Sequence, residues 1–186
     1  LRLCISYVLR RGICDIPTNS MNKTFATFKN AIRIDDYVNS VKAFFVLQES
    51  YKKFPDNDEF LNAFVSRDIY NMRVRNYILS RLENYNNKVP IIIENYTIEH
   101  IMPQNKNLSQ EWQNDLGVEW REIQKKYLHT IGNLTLTAYN SEMSDKPFMQ
   151  KMNMVGGFKE SALRLNKDVV LLSEWNEQHI RKRAQN

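Results

Sequence analysis

The sequence has few of the residues that would mark a secreted, membrane-embedded or zinc-stabilised protein. Its two cysteines, Cys4 and Cys14, form neither a CxxC pair nor a disulfide framework, which favours reduced thiols and a cytoplasmic location. No segment approaches the roughly 20 apolar residues of a transmembrane helix, so no membrane partner is expected. The three histidines are widely spaced and have no cysteine nearby, which argues against a structural zinc site.

The start of the sequence resembles the middle of a helix. The chain begins at Leu1 rather than at a methionine, and it lacks the apolar core and the small-residue cleavage site of a signal peptide. We therefore expect that an N-terminal domain of a longer polypeptide precedes this segment.

Composition places the chain among globular proteins that can bind polyanions. Charged residues make up 25% and hydrophobic residues 42% of the sequence, values that are ordinary for a folded domain. The formal net charge of +5 and the pI of about 9.1 are compatible with a nucleic-acid partner. Net charge alone is a weak indicator, because many basic proteins bind no nucleic acid.

Hydrophobic periodicity predicts that the first half of the chain is helical. Apolar residues recur at helical spacing, and their aromatic stripes are more typical of a packed core than of a cofactor site. The predicted helices lie at residues 1–11, 21–28, 35–51, after residue 58 and at residues 71–86. We therefore predict a helical subdomain over residues 1–88.

The pattern changes after Lys88. Short β-branched runs and one alternating segment predict strands, and polar residues with Trp112 as an anchor predict a loop over residues 105–116. The predicted strands occupy residues 91–93, 96–98 and 134–138, and the predicted helices 120–128, 146–152 and 174 onward. The fold class is thus α+β and mostly α-helical, with a second domain over residues 89–186.

Two segments carry the residues suited to chemistry. They read YTIEHIMPQ over residues 96–104 and HTIGNLTLTAYNSEMSDKPF over residues 129–148, in the order strand, loop with Glu-His, strand, loop with Asn, helix. Phosphodiester hydrolysis needs a base that deprotonates water near neutral pH, and an imidazole suits that task. It also needs a cation, and a hard divalent ion such as Mg²⁺ prefers oxygen ligands.

These segments resemble the HNH, or His-Me finger, endonuclease domain at the C-terminus of GmrSD-like type IV restriction enzymes. The motif order is also similar to the HNH domain of CRISPR RNA-guided nucleases. The resemblance implies a ββα-metal nuclease core with a C-terminal helix. It further implies a DNA endonuclease of a modification-dependent anti-phage restriction system, which cleaves modified or foreign DNA. By the same resemblance, an NTPase-like N-terminal domain precedes this segment in the full protein.

The resemblance also implies a role for each motif residue. His100 corresponds to the general base, and Asn133 to a catalytic-site residue that orients His100 through backbone hydrogen bonds. Glu99 and Asn140 correspond to ligands of one divalent ion, Mg²⁺ or alternatively Mn²⁺. Three basic residues near the motif are candidates for contact with DNA: His129, Lys146 and Lys151.

Several points stay open at the level of sequence. Many HNH sites have Asp at the position of Glu99, so this side chain is either a direct metal ligand or a residue that orients one. Neighbouring strand residues point to opposite sides, so Glu99 and His100 share a site only if the backbone bends. His129 has a structural alternative, and the two lysines could belong to a solvated helix face.

Two other functions compete with the nuclease. The first is a catalytically inactive DNA-binding module that retains the shape of the ββα unit without its chemistry. The second is a helical protein-interaction module in which residues 20–88 contact a partner.

Overall fold

The computed structural model describes all residues 1–186, and the chain divides into two compact units, Leu1–Phe64 and Val65–Asn186. Most of the chain is helical, and one two-stranded antiparallel sheet is present. The predicted α+β, mostly helical class is confirmed. The units divide after residue 64, whereas the predicted domains divide after residue 88, and that domain assignment stays a prediction. No helix has both the length and the apolar character needed to cross a membrane.

The first unit consists of helices and one short 3-10 turn. The predicted helix over residues 35–51 is shorter in the structure, because Val46 is its last residue and a separate 3-10 turn covers Ser50–Lys52. The other predicted helices of this unit are present with shifted ends. The helices are α1 (Arg2–Ile13), α2 (Met21–Ala31), α3 (Tyr37–Val46) and α4 (Asn57–Ser66).

An aromatic cluster and one buried arginine hold the first unit together. Tyr7 and Phe45 are fully buried, with ring centroids 4.9 Å apart. Arg11 is also fully buried, and its guanidinium donates to the carbonyl oxygens of Tyr51 at 2.8 Å and Pro17 at 2.7 Å. These hydrogen bonds compensate for burial of the charge, and they connect the end of α1 to the 3-10 turn Ser50–Lys52 and to the segment before α2.

The second unit contains the sheet and the remaining helices. Besides several short 3-10 turns, its elements are α5 (Arg75–Glu83), β1 (Thr97–His100), α6 (Gln110–Leu116), α7 (Trp120–Tyr127), β2 (Leu134–Thr137), α8 (Asn140–Met143), α9 (Phe148–Asn153) and α10 (Glu177–Gln185). The predicted helices 71–86, 120–128, 146–152 and 174 onward correspond to α5, α7, α9 and α10, with shorter or shifted ends.

Two predicted segments in this unit, residues 91–93 and 105–116, have a different structure. Residues 91–93 form no strand, because the side chain of Asn84 accepts from the backbone N–H of Ile91 and donates to its carbonyl. Those backbone groups are therefore not available to a neighbouring strand. The predicted loop over residues 105–116 contains α6, whose first turn is capped by Ser109. Trp112 in α6 is fully buried, as its anchor role requires.

The sheet positions the Glu-His pair within a strand rather than in a loop. β1 and β2 pair in antiparallel register, with Glu99 opposite Thr135 and His100 opposite Leu134. All four residues of β2 are buried. The second half of β1 is buried as well, so Glu99 and His100 lie inside the unit.

Helix α10 packs against the turn that precedes β2. A Cβ atom on Gly132 would lie 2.3 Å from the carbonyl oxygen of Ile180, so only glycine permits this approach. Arg183 donates to the carbonyls of Ile131 and Gly132, and burial lowers the pKa of Arg183 to about 10. The C-terminal helix thereby fixes the segment that carries Asn133.

We predict that Gly132→Ala destabilises the second unit by about 2 kcal/mol, because overpacking forces α10 away from the turn. The matched control is Gly12→Ala in α1, where an added Cβ meets nothing within 4 Å. That change should be neutral or stabilising by about 0.5 kcal/mol. Urea denaturation measures both, and equal stability of the two variants would contradict the packing described.

Candidate active site

His100 is the last residue of β1 and lies against two other rings. Its Nε2 atom is 3.0 Å from Nδ1 of His129. The ring of Tyr70 contacts the ring of His100 edge-on, with centroids 4.5 Å apart. It stacks on the ring of His129, with centroids 5.2 Å apart. Burial, followed by the neighbouring His129, lowers the pKa of His100 to about 3. The imidazole is therefore neutral at neutral pH, and burial also makes it a weaker base than an exposed imidazole.

The position of His129 follows from backbone hydrogen bonds. Its carbonyl oxygen accepts from the N–H groups of Ile69 at 2.9 Å and Tyr70 at 3.2 Å, which ties the loop after α7 to the segment before α5. Tyr70 was not predicted as a site residue. No local pattern could have indicated it, because it reaches the motif only through this tertiary contact.

Glu99 forms a buried ion pair with Lys151 of α9. The Nζ atom of Lys151 lies 2.5 Å from Oε1 of Glu99 and donates also to the carbonyls of His100 at 2.9 Å and Ile101 at 3.2 Å. Lys151 has no exposed side-chain surface. It therefore lies inside the fold, bound to Glu99, and not on the surface where a DNA contact was expected.

Burial acts on both partners of this pair. It raises the pKa of Glu99, while the charge of Lys151 lowers it. Burial likewise lowers the pKa of Lys151, while Glu99 raises it. Each partner thus supports the charged form of the other in a place where an isolated charge would be neutralised. The pair needs both members.

Asn133 joins three segments through one fully buried amide. Its Oδ1 atom accepts from the backbone N–H of Met102 at 2.8 Å and from Nε1 of Trp175 at 3.2 Å. Its Nδ2 atom donates to the carbonyls of Met102 and Leu128, both at 3.0 Å. All four hydrogen-bonding positions of the amide are used. None of these hydrogen bonds goes to His100, and two of them fix Met102, two residues after it.

Asn140 is the first residue of α8, and its Nδ2 atom donates to the carbonyl of Ile98 at 2.7 Å. This bond directs the amide toward β1. Asn140 lines a cavity of about 330 Å³ whose wall is formed mainly by polar residues. Its other wall residues are Tyr70, Ile98, Glu99, His100, Pro103, Gln104, Asn105, Ser144 and Asp145.

The structure brings some predicted site residues to this cavity and leaves others outside. Glu99 and His100 share the cavity although they are neighbours in a strand. Lys146 is not part of the wall, and its Nζ atom donates to the carbonyl of Glu142 at 2.6 Å. Asp145 lines the cavity and was not predicted. Its position in the polar turn after Asn140 is the signal that could have indicated it.

The donor set of the cavity fits a hard divalent cation that is held mainly by water and phosphate. No group of three or more His, Cys, Asp and Glu side chains is arranged as a ligand cluster. Glu99, Asn140 and Asp145 line the cavity, and their side chains carry the oxygen atoms that such a cation prefers. Mg²⁺ characteristically uses one or two carboxylates and completes its shell with water and substrate phosphate.

Comparison with known protein families agrees with the motif. Residues 54–186, well over half of the chain, match the family described as GmrSD restriction endonucleases, C-terminal domain. The chain belongs to this family. The predicted GmrSD-like membership is therefore confirmed, and the matched region includes every residue of the cavity. No curated protein and no solved structure matches the chain.

We predict that Lys151→Met destabilises the protein by about 3 kcal/mol or more, because it leaves the Glu99 charge buried without a partner. Glu99→Met should cost a similar amount. The double variant should recover much of the loss, since an apolar pair can replace a buried ion pair.

Urea denaturation of the four proteins gives a double-mutant cycle for this pair. The control is Lys125→Met on the exposed face of α7, which should change stability by less than about 0.5 kcal/mol. Additive effects of the two single changes would show that the ion pair does not contribute to the fold.

Proposed function

We propose that this chain is a metal-dependent DNA endonuclease module with an HNH-type ββα-metal site. The observation that carries the proposal is the shared cavity, whose wall contains His100 together with Glu99 and Asn140. Membership in a family of restriction endonucleases supports DNA as the substrate. β1 pairs with β2, and α8 follows β2 directly. This order matches the two arms and the helix of a ββα unit, with α6 and α7 inserted between the two strands.

In the proposed reaction, His100 accepts a proton from the attacking water. Its Nε2 atom is engaged by Nδ1 of His129. If the proton of His100 lies on Nε2 and is donated to His129, then Nδ1 of His100 is left with the lone pair that a general base needs. The stacked ring of Tyr70 limits rotation of His129. His129 and Tyr70 are thus positioning residues in this proposal.

Glu99 and Asn140 would hold the divalent ion, Mg²⁺ or alternatively Mn²⁺. Such an ion supplies positive charge to the phosphate as negative charge develops during cleavage. Lys151 keeps the Glu99 carboxylate in its charged form and fixes its rotamer. The hydrogen bond from Asn140 to Ile98 directs the amide, so that its Oδ1 atom can serve as an acceptor or ligand.

The wider setting of the proposal is modification-dependent restriction of foreign DNA. It rests on the family, whose members are described as restriction endonucleases. In this setting an NTPase-like domain precedes the segment in the full protein and governs cleavage, and the protein acts in the cytoplasm. Binding by this module is then dominated by backbone phosphates and is sensitive to salt.

One observation favours a second candidate, an inactive DNA-binding module. The ammonium of Lys151 already neutralises an oxygen of Glu99, and a cation bound beside it would share that carboxylate. In this alternative, the unit binds DNA without cutting it. Cleavage by the full-length protein in Mg²⁺ or Mn²⁺ separates the two candidates.

We predict that His100→Ala in the full-length protein lowers the rate of plasmid cleavage about a thousandfold, a loss typical for removal of a general base. DNA binding should change little. The control is His179→Ala in α10, because His179 does not line the cavity. Agarose-gel kinetics with Mg²⁺ and with excess EDTA provide the measurement. If His100→Ala cuts as fast as His179→Ala, His100 is not the general base.

A further inference from the structure

A second cavity of about 470 Å³ adjoins the candidate active site. The two cavities share three wall residues, Tyr70, Ile98 and Asn140, so they lie side by side on the strand β1. The volume falls within the range of about 300–1,000 Å³ that is typical of small-molecule sites. Any DNA strand whose phosphate reaches His100 would place an adjoining nucleotide near this second cavity.

Arg75 gives this cavity a fixed positive charge. Its guanidinium donates to the carbonyl of Tyr70 at 2.8 Å and lies 5.1 Å from the centre of the Tyr70 ring. Because this hydrogen bond goes to a neutral carbonyl, it orients the guanidinium without neutralising it. An oriented arginine with free donors matches the geometry of a phosphate.

The remaining wall provides surfaces suited to a base. Tyr96 is half-buried and lines the cavity, and nucleobases stack on such aromatic rings regardless of sequence. Glu94 also lines the cavity. A carboxylate repels phosphate and accepts hydrogen bonds from base amino groups, so it favours a base beside Tyr96 and a phosphate near Arg75.

We propose that this cavity is a nucleotide subsite, which holds the nucleotide next to the cleaved phosphate of a DNA strand. Arg75 binds the backbone phosphate of that nucleotide, and Tyr96 contacts its base. This subsite rests on the proposed function, because it has a role only if the neighbouring active site cleaves DNA. The subsite positions the DNA and takes no part in the chemical step.

Binding rather than cleavage tests the subsite. In the full-length protein carrying His100→Ala, fluorescence anisotropy measures the affinity for a labelled 20-mer, single-stranded and duplex, between 50 and 200 mM salt. Arg75→Gln should weaken binding about tenfold and reduce the slope of log affinity against log salt by about one. Tyr96→Ala should weaken binding about tenfold with an unchanged slope, because it removes stacking.

Two further variants separate binding from folding. Asn76→Asp adds a negative charge beside Arg75 at an exposed position in the first turn of α5, where an acidic residue favours the helix. It should weaken DNA binding about tenfold without lowering the melting temperature. The matched control is Arg81→Gln on the same helix, because Arg81 is exposed and lines neither cavity. It should alter affinity less than twofold.

The outcomes distinguish the subsite from the function. Suppose that the His100→Ala parent binds DNA, and that Arg75→Gln and Asn76→Asp have the same DNA affinity as Arg81→Gln. The subsite is then wrong, and the nuclease proposal stands. If wild type does not cleave and the His100→Ala parent does not bind either probe, both proposals are wrong. Weakened binding confined to the Arg75, Asn76 and Tyr96 variants supports the subsite.

Discussion

The amide of Asn133 joins three segments: the one that follows β1 at Met102, the one that contains Leu128 and the one that contains Trp175. The amide is fully buried with every hydrogen-bonding position used, so loss of any partner leaves an unsatisfied polar group inside the unit. The close packing of Gly132 against α10 also fixes the backbone next to Asn133. The cavity depends on the hydrogen bonds of Asn133, because the segment that follows β1 would otherwise be free to move.

The Glu99–Lys151 pair meets a second requirement. Burial makes His100 neutral and opposes the charge of Glu99, although the proposed reaction needs a neutral base beside an ionised carboxylate. Lys151 resolves this conflict, because its ammonium stabilises the carboxylate and also binds the carbonyls of His100 and Ile101. The cost of burying two charges offsets much of their attraction, so a buried pair of this kind adds little net stability over a well-packed apolar pair.

The sequence motif was sufficient for the family and the fold class. Among the predicted site residues, it placed Glu99, His100 and Asn140 at the cavity. The motif was insufficient where tertiary contacts determine the position or burial of a side chain. Lys151 has the spacing of an exposed helix residue, and only the fold shows that it is buried on Glu99. The strand predicted at residues 91–93 is absent because the side chain of Asn84 satisfies Ile91. Tyr70 reaches the histidines from a distant segment without a sequence signal.

The central claim is that Glu99, His100 and Asn140 form one cation-assisted hydrolytic site, and Mn²⁺ binding followed by electron paramagnetic resonance tests it most directly. Asn140→Ala removes a proposed oxygen ligand, whereas Asn140→Asp retains it and adds charge. The account predicts that Asn140→Ala weakens Mn²⁺ binding about tenfold or more, the scale of a lost site residue, and that Asn140→Asp does not weaken it. Equal Mn²⁺ affinity of Asn140→Ala and a control, Asn153→Ala in α9, would contradict it.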